Sequence, residues 1–206
     1  MELADAQQVD IYNPKFVLAI RTIDDDFSWY SWFRANNLKG MTYAFYYKNK
    51  VLKFGCSFCK FKTRKNDNFG DRLIRQVNNL PGRFKLNPTD WYLEGYGFLP
   101  KSNNSREMVE IIRKFEKIHN IKVDRDDIYL HIWDITNVHS AKFFWDDTDE
   151  DNKKRAEYFE ALLVEQYKKD NNGHLPLGNV TDPSKRNRAY TKPKISKEAG
   201  DLFFTP

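Results

Sequence analysis

Residues 42–57 read TYAFYYKNKVLKFGCS, and the fold turns on how this stretch is taken. Two runs rich in aromatic and branched residues, TYAFYY (42–47) and KVLKFG (50–55), flank Lys48-Asn49. That is the pattern of a β-hairpin. Strand alternation places Tyr43 with Phe45 and Tyr47 on one face. The turn explains Lys48 and Lys50. It leaves Lys53 unexplained, because a strand lysine is ordinarily an edge or solvent-facing charge. Whether Lys53 shares a face with Tyr43 depends on a register that the sequence does not display.

Working outward, KFVLAIRTI (15–23) reads as a strand, and FSWYSWF (27–33) is an aromatic patch suited to packing beneath a sheet. Past the hairpin, GDRLIRQVNNL (70–80) has Leu73, Val77 and Leu80 at helical spacing, and Pro81-Gly82 stop it. DWYLEGYGFL (90–99) reads as one strand. SREMVEIIRKFEKIHN (105–120) is an amphipathic helix with Met108, Ile111, Ile112, Phe115 and Ile118 on one side. DIYLHIWDI (127–135) alternates like a half-buried strand. A second strong helix covers KKRAEYFEALLVEQYKKD (153–170), with Phe159, Leu162, Leu163 and Tyr167 inward. The order implies an α/β (α+β) domain, a small antiparallel or mixed sheet flanked by helices. We divide the chain into an N-terminal extension (1–39) packing on the domain, the domain itself (40–180) and a basic C-terminal tail (181–206).

Of 206 residues, 40% are hydrophobic and 31% charged, which suits a soluble globular chain able to bury a core. No apolar run approaches the ~18–20 residues of a transmembrane helix. The polar, acidic start MELADAQQVD is unlike a signal peptide. An intracellular, cytoplasmic protein is therefore expected. The two cysteines, Cys56 and Cys59, stand in CSFC without the second ligand pair a zinc site needs, and read as reduced thiols. The net charge is only +5, so the distribution of basic residues matters more than their sum.

From position 40 onward the order of elements resembles the GIY-YIG nuclease superfamily, of the stand-alone phage or restriction type. Its first motif corresponds to MTY (41–43) after Gly40, and its second to KFG (53–55), with Lys53 where many members carry tyrosine. The resemblance implies a helix arginine, Arg72 in NFGDRLIRQ (68–76), with Gln76 one turn on. Arg75 and Arg64 are substitutes for it, because the insert before the helix is long. It also implies a helix glutamate, Glu160 in FEALLVEQY (159–167), and a terminal asparagine, Asn179 in PLGN. The implied activity is metal-dependent endonucleolytic hydrolysis of double-stranded DNA, with Mg²⁺ as cofactor and Mn²⁺ as its expected substitute.

These residue types suit the reaction. Phosphodiester hydrolysis needs an activated water, neutralisation of the transition state and relief of charge on the leaving oxygen. Glu160 can hold Mg²⁺, which keeps most of its waters. Arg72 offers phosphate a planar fork of donors. Tyr43 can orient or deprotonate water if Lys53 lowers its pKa. Further phosphate contacts are expected from the insert (Lys60, Lys62, Arg64), from Arg75 and Asn179, and from Lys185, Arg186 and Arg188 in the tail. Double-strand cutting by one site per chain calls for a homodimer or sequential attack. The other class of reading is a catalytically inactive nucleic-acid-binding protein that retains the fold.

Overall fold

The computed structural model describes residues 13–23, 27–58, 71–78, 80, 91–94, 97–100, 103–135, 149–179 and 182. The hairpin consists of β2 (Gly40–Tyr47) and β3 (Lys50–Phe58), joined at Lys48-Asn49. Lys48 takes a left-handed φ of 53°, its amide donates to the Asp127 carbonyl at 2.9 Å, and its ammonium lies 3.4 Å from the Asp127 carboxylate. Strand β6 (Ile128–Asp134) pairs with β2, and β1 (Phe16–Ala19) pairs with β6. The result is a four-stranded antiparallel sheet in the order β1-β6-β2-β3, an α+β architecture.

The strand expected over 15–23 stops at Ala19 and continues as a 3-10 turn, Ile20–Thr22. The Arg125 guanidinium holds this turn by donating to the carbonyls of Ile20 and Ile23 at 3.2 and 3.0 Å. The aromatic patch forms helix α1 (Trp29–Ala35), where the Ser28 hydroxyl accepts from the Ser31 amide at 3.4 Å as an N-cap. The segment expected as one strand over 90–99 is instead a hairpin, β4 (Trp91–Glu94) and β5 (Gly97–Pro100), forming a separate two-stranded sheet.

Helices α2 (Asp71–Asn78), α3 (Asn103–His119) and α4 (Asp149–Asp170) complete the fold. Helix α4 begins four residues before the expected start, inside the acidic run 146–151, where carboxylates suit the positive end of a helix. The two sheet faces have different cores. Met41, Tyr43, Phe45 and Tyr47 of β2 join Leu52 of β3 and the apolar sides of α1, α2 and α3. Ala44 and Phe54 join Trp133 and the Ala156, Phe159, Leu163 and Val164 stripe of α4. Among the described residues, three helices cover one face and one helix covers the other. Among the described residues no helix is long and apolar enough to cross a membrane.

Candidate active site

The geometry of the site is set by one irregularity in β3. From the turn outward, Tyr47 pairs with Lys50 and Tyr46 with Val51, but Phe45 pairs with Lys53. Leu52 is therefore the extra residue of a β-bulge. Regular alternation would put Leu52 and Lys53 on opposite faces. The bulge turns Lys53 back onto the face of Phe45 and Tyr43, and it makes Gly55 the partner of Tyr43.

That pairing explains the glycine. A Cβ at position 55 would stand 2.6 Å from both Cζ and Oη of Tyr43, so the ring lies directly over Gly55. The glycine makes room for Tyr43 itself, and not for a substrate approaching the strand end. Tyr43 is 0% exposed, and its hydroxyl donates to Gln76 Oε1 at 3.0 Å. Gln76 is buried on α2, whose Leu73 and Val77 anchor the helix in the same core. Lys53 is 2% exposed, unlike the solvated charge of an ordinary edge strand. Its Cβ lies against Gly178, where an added Cβ would come within 2.8 Å of it.

Glu160 comes to the same strand from the other side. Cys56 follows Gly55 and so faces the α4 core, and its thiol donates to Glu160 Oε2 at 3.2 Å. One turn earlier in α4, the Ala156 carbonyl accepts from Thr42 Oγ1 at 3.1 Å; Thr42 is the residue paired with Cys56. Glu160 is only 7% exposed. Tyr43, Lys53 and Gln76 are thus brought together, while Glu160 addresses the opposite face of the same short segment, Lys53–Ser57.

Asn179, expected among the phosphate contacts, clasps the outer edge of β3. Its Oδ1 accepts from the Phe54 amide at 2.8 Å and its Nδ2 donates to the Phe54 carbonyl at 3.2 Å. The neighbouring Gly178 amide donates to the Leu52 carbonyl at 2.9 Å. Together they supply edge hydrogen bonds that a further strand would otherwise make. Arg72 and Arg75 fall in α2, with position 72 one turn before Gln76, and their side chains lie outside the described ones. Lys60, Lys62, Arg64, Lys185, Arg186 and Arg188 lie outside the described residues.

Two buried polar groups of α4 were not assigned to the site by the sequence analysis. Asn152 and Arg155 are buried, and the Asn152 amide has no hydrogen-bond partner among the described residues. The signal was the period of α4, which puts 152, 155–156, 159–160 and 163 on one stripe. Among the described residues no group of three His, Cys, Asp or Glu could hold a metal ion. The donor set at Glu160 is one carboxylate beside one thiol. A carboxylate suits Mg²⁺, which binds through one or two such groups plus water, whereas a thiol suits softer metals. Cys56 is accordingly a hydrogen-bond donor to Glu160 and not a fitting Mg²⁺ ligand.

At the turn end of the hairpin the surroundings are aromatic. Tyr46 stacks on His131 with centroids 4.1 Å apart, and Phe54 meets Tyr167 edge-on at 6.1 Å. Burial pushes the Tyr46 phenol above its ordinary pKa, with a smaller push from Tyr167; burial raises Tyr167 as well. Burial lowers His131, so its neutral form is favoured. No protein-family model, curated protein or solved structure matches the chain.

Proposed function

We propose that the protein is a metal-dependent endodeoxyribonuclease of the GIY-YIG type, hydrolysing double-stranded DNA at a single site on β3. The observation that carries this reading is the bulge at Leu52, which buries Lys53 on the Tyr43 face while Gly55 seats the Tyr43 ring against Gln76. A sheet under no demand beyond stability does not ordinarily bury a lysine, because a desolvated charge is costly without compensation. Bulges are also a common means of re-aiming a side chain beside an active site.

In this reading the Lys53 ammonium favours the phenolate of Tyr43, and Gln76 fixes the orientation of the phenol, so that Tyr43 takes the proton of the attacking water. Arg72, one turn before Gln76, is the phosphate clamp. Glu160 would hold the metal, its carboxylate oriented by the Cys56 thiol. Mg²⁺, or Mn²⁺ in its place, would supply Lewis-acid stabilisation of the charge on the phosphate and leaving oxygen. DNA would lie at the β3 segment Lys53–Ser57, which Tyr43 and Lys53 address from one face and Glu160 from the other.

The test is incubation of the purified protein with supercoiled plasmid and Mg²⁺, with and without a chelator. Nicking or linearisation that the chelator abolishes is expected. The second reading, an inactive nucleic-acid-binding protein that keeps the fold, draws on a specific observation: Tyr43 is fully buried and Glu160 meets β3 from the opposite face. Retarded plasmid with no metal-dependent cleavage would select it.

A further inference from the structure

A groove opens at the turn end of the hairpin, on the Phe54 and Leu163 side of the sheet. It encloses about 910 Å³ between the start of β3, the last turns of α3 and α4, and the segment 171–177. Val51, Phe54, Leu163, Tyr167 and Leu177 line it. Its apolar lining continues outward to Ile118, which is 58% exposed, one of four large apolar side chains so exposed among the described residues. A solvated apolar surface of this kind ordinarily marks an interaction site.

The chain itself supplies an occupant of matching chemistry. Beyond α4 it is tied down at Asp182, whose carboxylate meets Lys168 at 2.7 Å, next in sequence to the groove residue Tyr167. Residues 183–206 lie outside the described residues. Most of that segment is polar and basic, and its last part carries one concentrated apolar run, Leu202-Phe203-Phe204, preceded by Asp201. About twenty residues separate Asp182 from Leu202, a span of up to ~65 Å when extended. A random coil of that length has an end-to-end distance of roughly 25 Å. The groove begins beside the anchor, so reach is not limiting, and tethering gives the segment an effective concentration on the order of millimolar.

We propose that the groove is a docking site for this chain's own Leu202-Phe203-Phe204. The two phenylalanines enter between Tyr167 and Phe54 on one side and Ile118 on the other, where rings already pack edge-on. Asp201 comes to the rim, where Lys50 supplies a cation. The docking does not depend on the nuclease reading, and its failure would leave that reading standing.

The experiment compares hydrogen exchange of the full chain with that of the full chain carrying Leu202→Ser, Phe203→Ser and Phe204→Ser, with light scattering on both. The substituted chain is expected to lose protection tenfold or more over 113–119 and 163–177, with β6 unchanged and both proteins of the same mass in solution. A peptide of residues 196–206 added to the substituted chain should restore that protection. Unchanged exchange would overturn the proposal. So would loss spread equally over β6, which would place the three residues in the core. Loss accompanied by a fall in mass would assign the groove to the tail of a second copy and overturn docking within one chain.

Discussion

The two faces of β3 between Lys53 and Ser57 belong to different cores. On one, Lys53 and Gly55 lie beneath Tyr43, closed over by α2 and α3. On the other, Phe54 and Cys56 meet α4 and its carboxylate. Neighbours on a strand are 3.2–3.4 Å apart along the chain yet belong to different cores. A constellation that lies in order along the sequence can therefore be divided by the sheet that carries it. Here β3 separates Tyr43, Lys53 and Gln76 on one face from Glu160 on the other, and Asn179 clasps its edge.

The sharpest way to break this comparison is Glu160→Ala. Metal-dependent plasmid cleavage is expected to fall by at least ~10²–10³-fold, the range for losing one transition-state stabiliser, while circular dichroism and DNA binding stay close to those of the parent chain. Retained metal-dependent cleavage would remove Glu160, and with it the α4 face, from the site.

The opposite face is tested by Gly55→Ala. Its Cβ cannot coexist with the Tyr43 ring as placed, so overpacking of about 1–3 kcal/mol is expected in denaturant unfolding. The same substitution in a Tyr43→Leu background should cost markedly less, and this coupling measures the contact. A smaller loss, about 1 kcal/mol, is expected for Tyr43→Phe, which takes the hydroxyl donor from Gln76 without emptying the core. If Tyr43 activates water, Tyr43→Phe must also lower cleavage far more than it lowers stability. Equal, small effects on both would mark it as a packing residue.

The smallest effect is a pH slope from His131 on the α4 side. Its folded pKa is depressed by burial below the unfolded value near ~6.5. The unfolded chain then binds the proton more readily, so the contribution is fully present above that value and is lost as pH falls through the window beneath it. Thermal unfolding of the parent chain should show this decline on acidification, and His131→Phe, which keeps a ring beside Tyr46, should flatten it.

Much of this architecture was legible in local sequence. The apolar spacing of α3 and α4, the alternation of β6 and the turn at Lys48-Asn49 are local patterns, and the structure has all four. The shortened β1 was not legible, because Arg125, more than a hundred residues away, holds the Ile20 and Ile23 carbonyls. The role of Asn179 was hidden for the same reason: it bonds the backbone of Phe54, 125 positions earlier, and an amide side chain carries no sign of which backbone it will meet.

By itself the sequence determined the residue types, their order and the elements that carry them: a tyrosine and a lysine on a hairpin, a glutamate on a late helix. Periodicity and turn chemistry are properties of neighbouring residues, so they could be read directly. Only the tertiary structure decided that Leu52 bulges, that Lys53 is buried beside Tyr43 and that Glu160 comes from the opposite face. A one-residue shift in pairing reverses every side chain beyond it, and the energy that selects the shift comes from the two cores packing against the sheet.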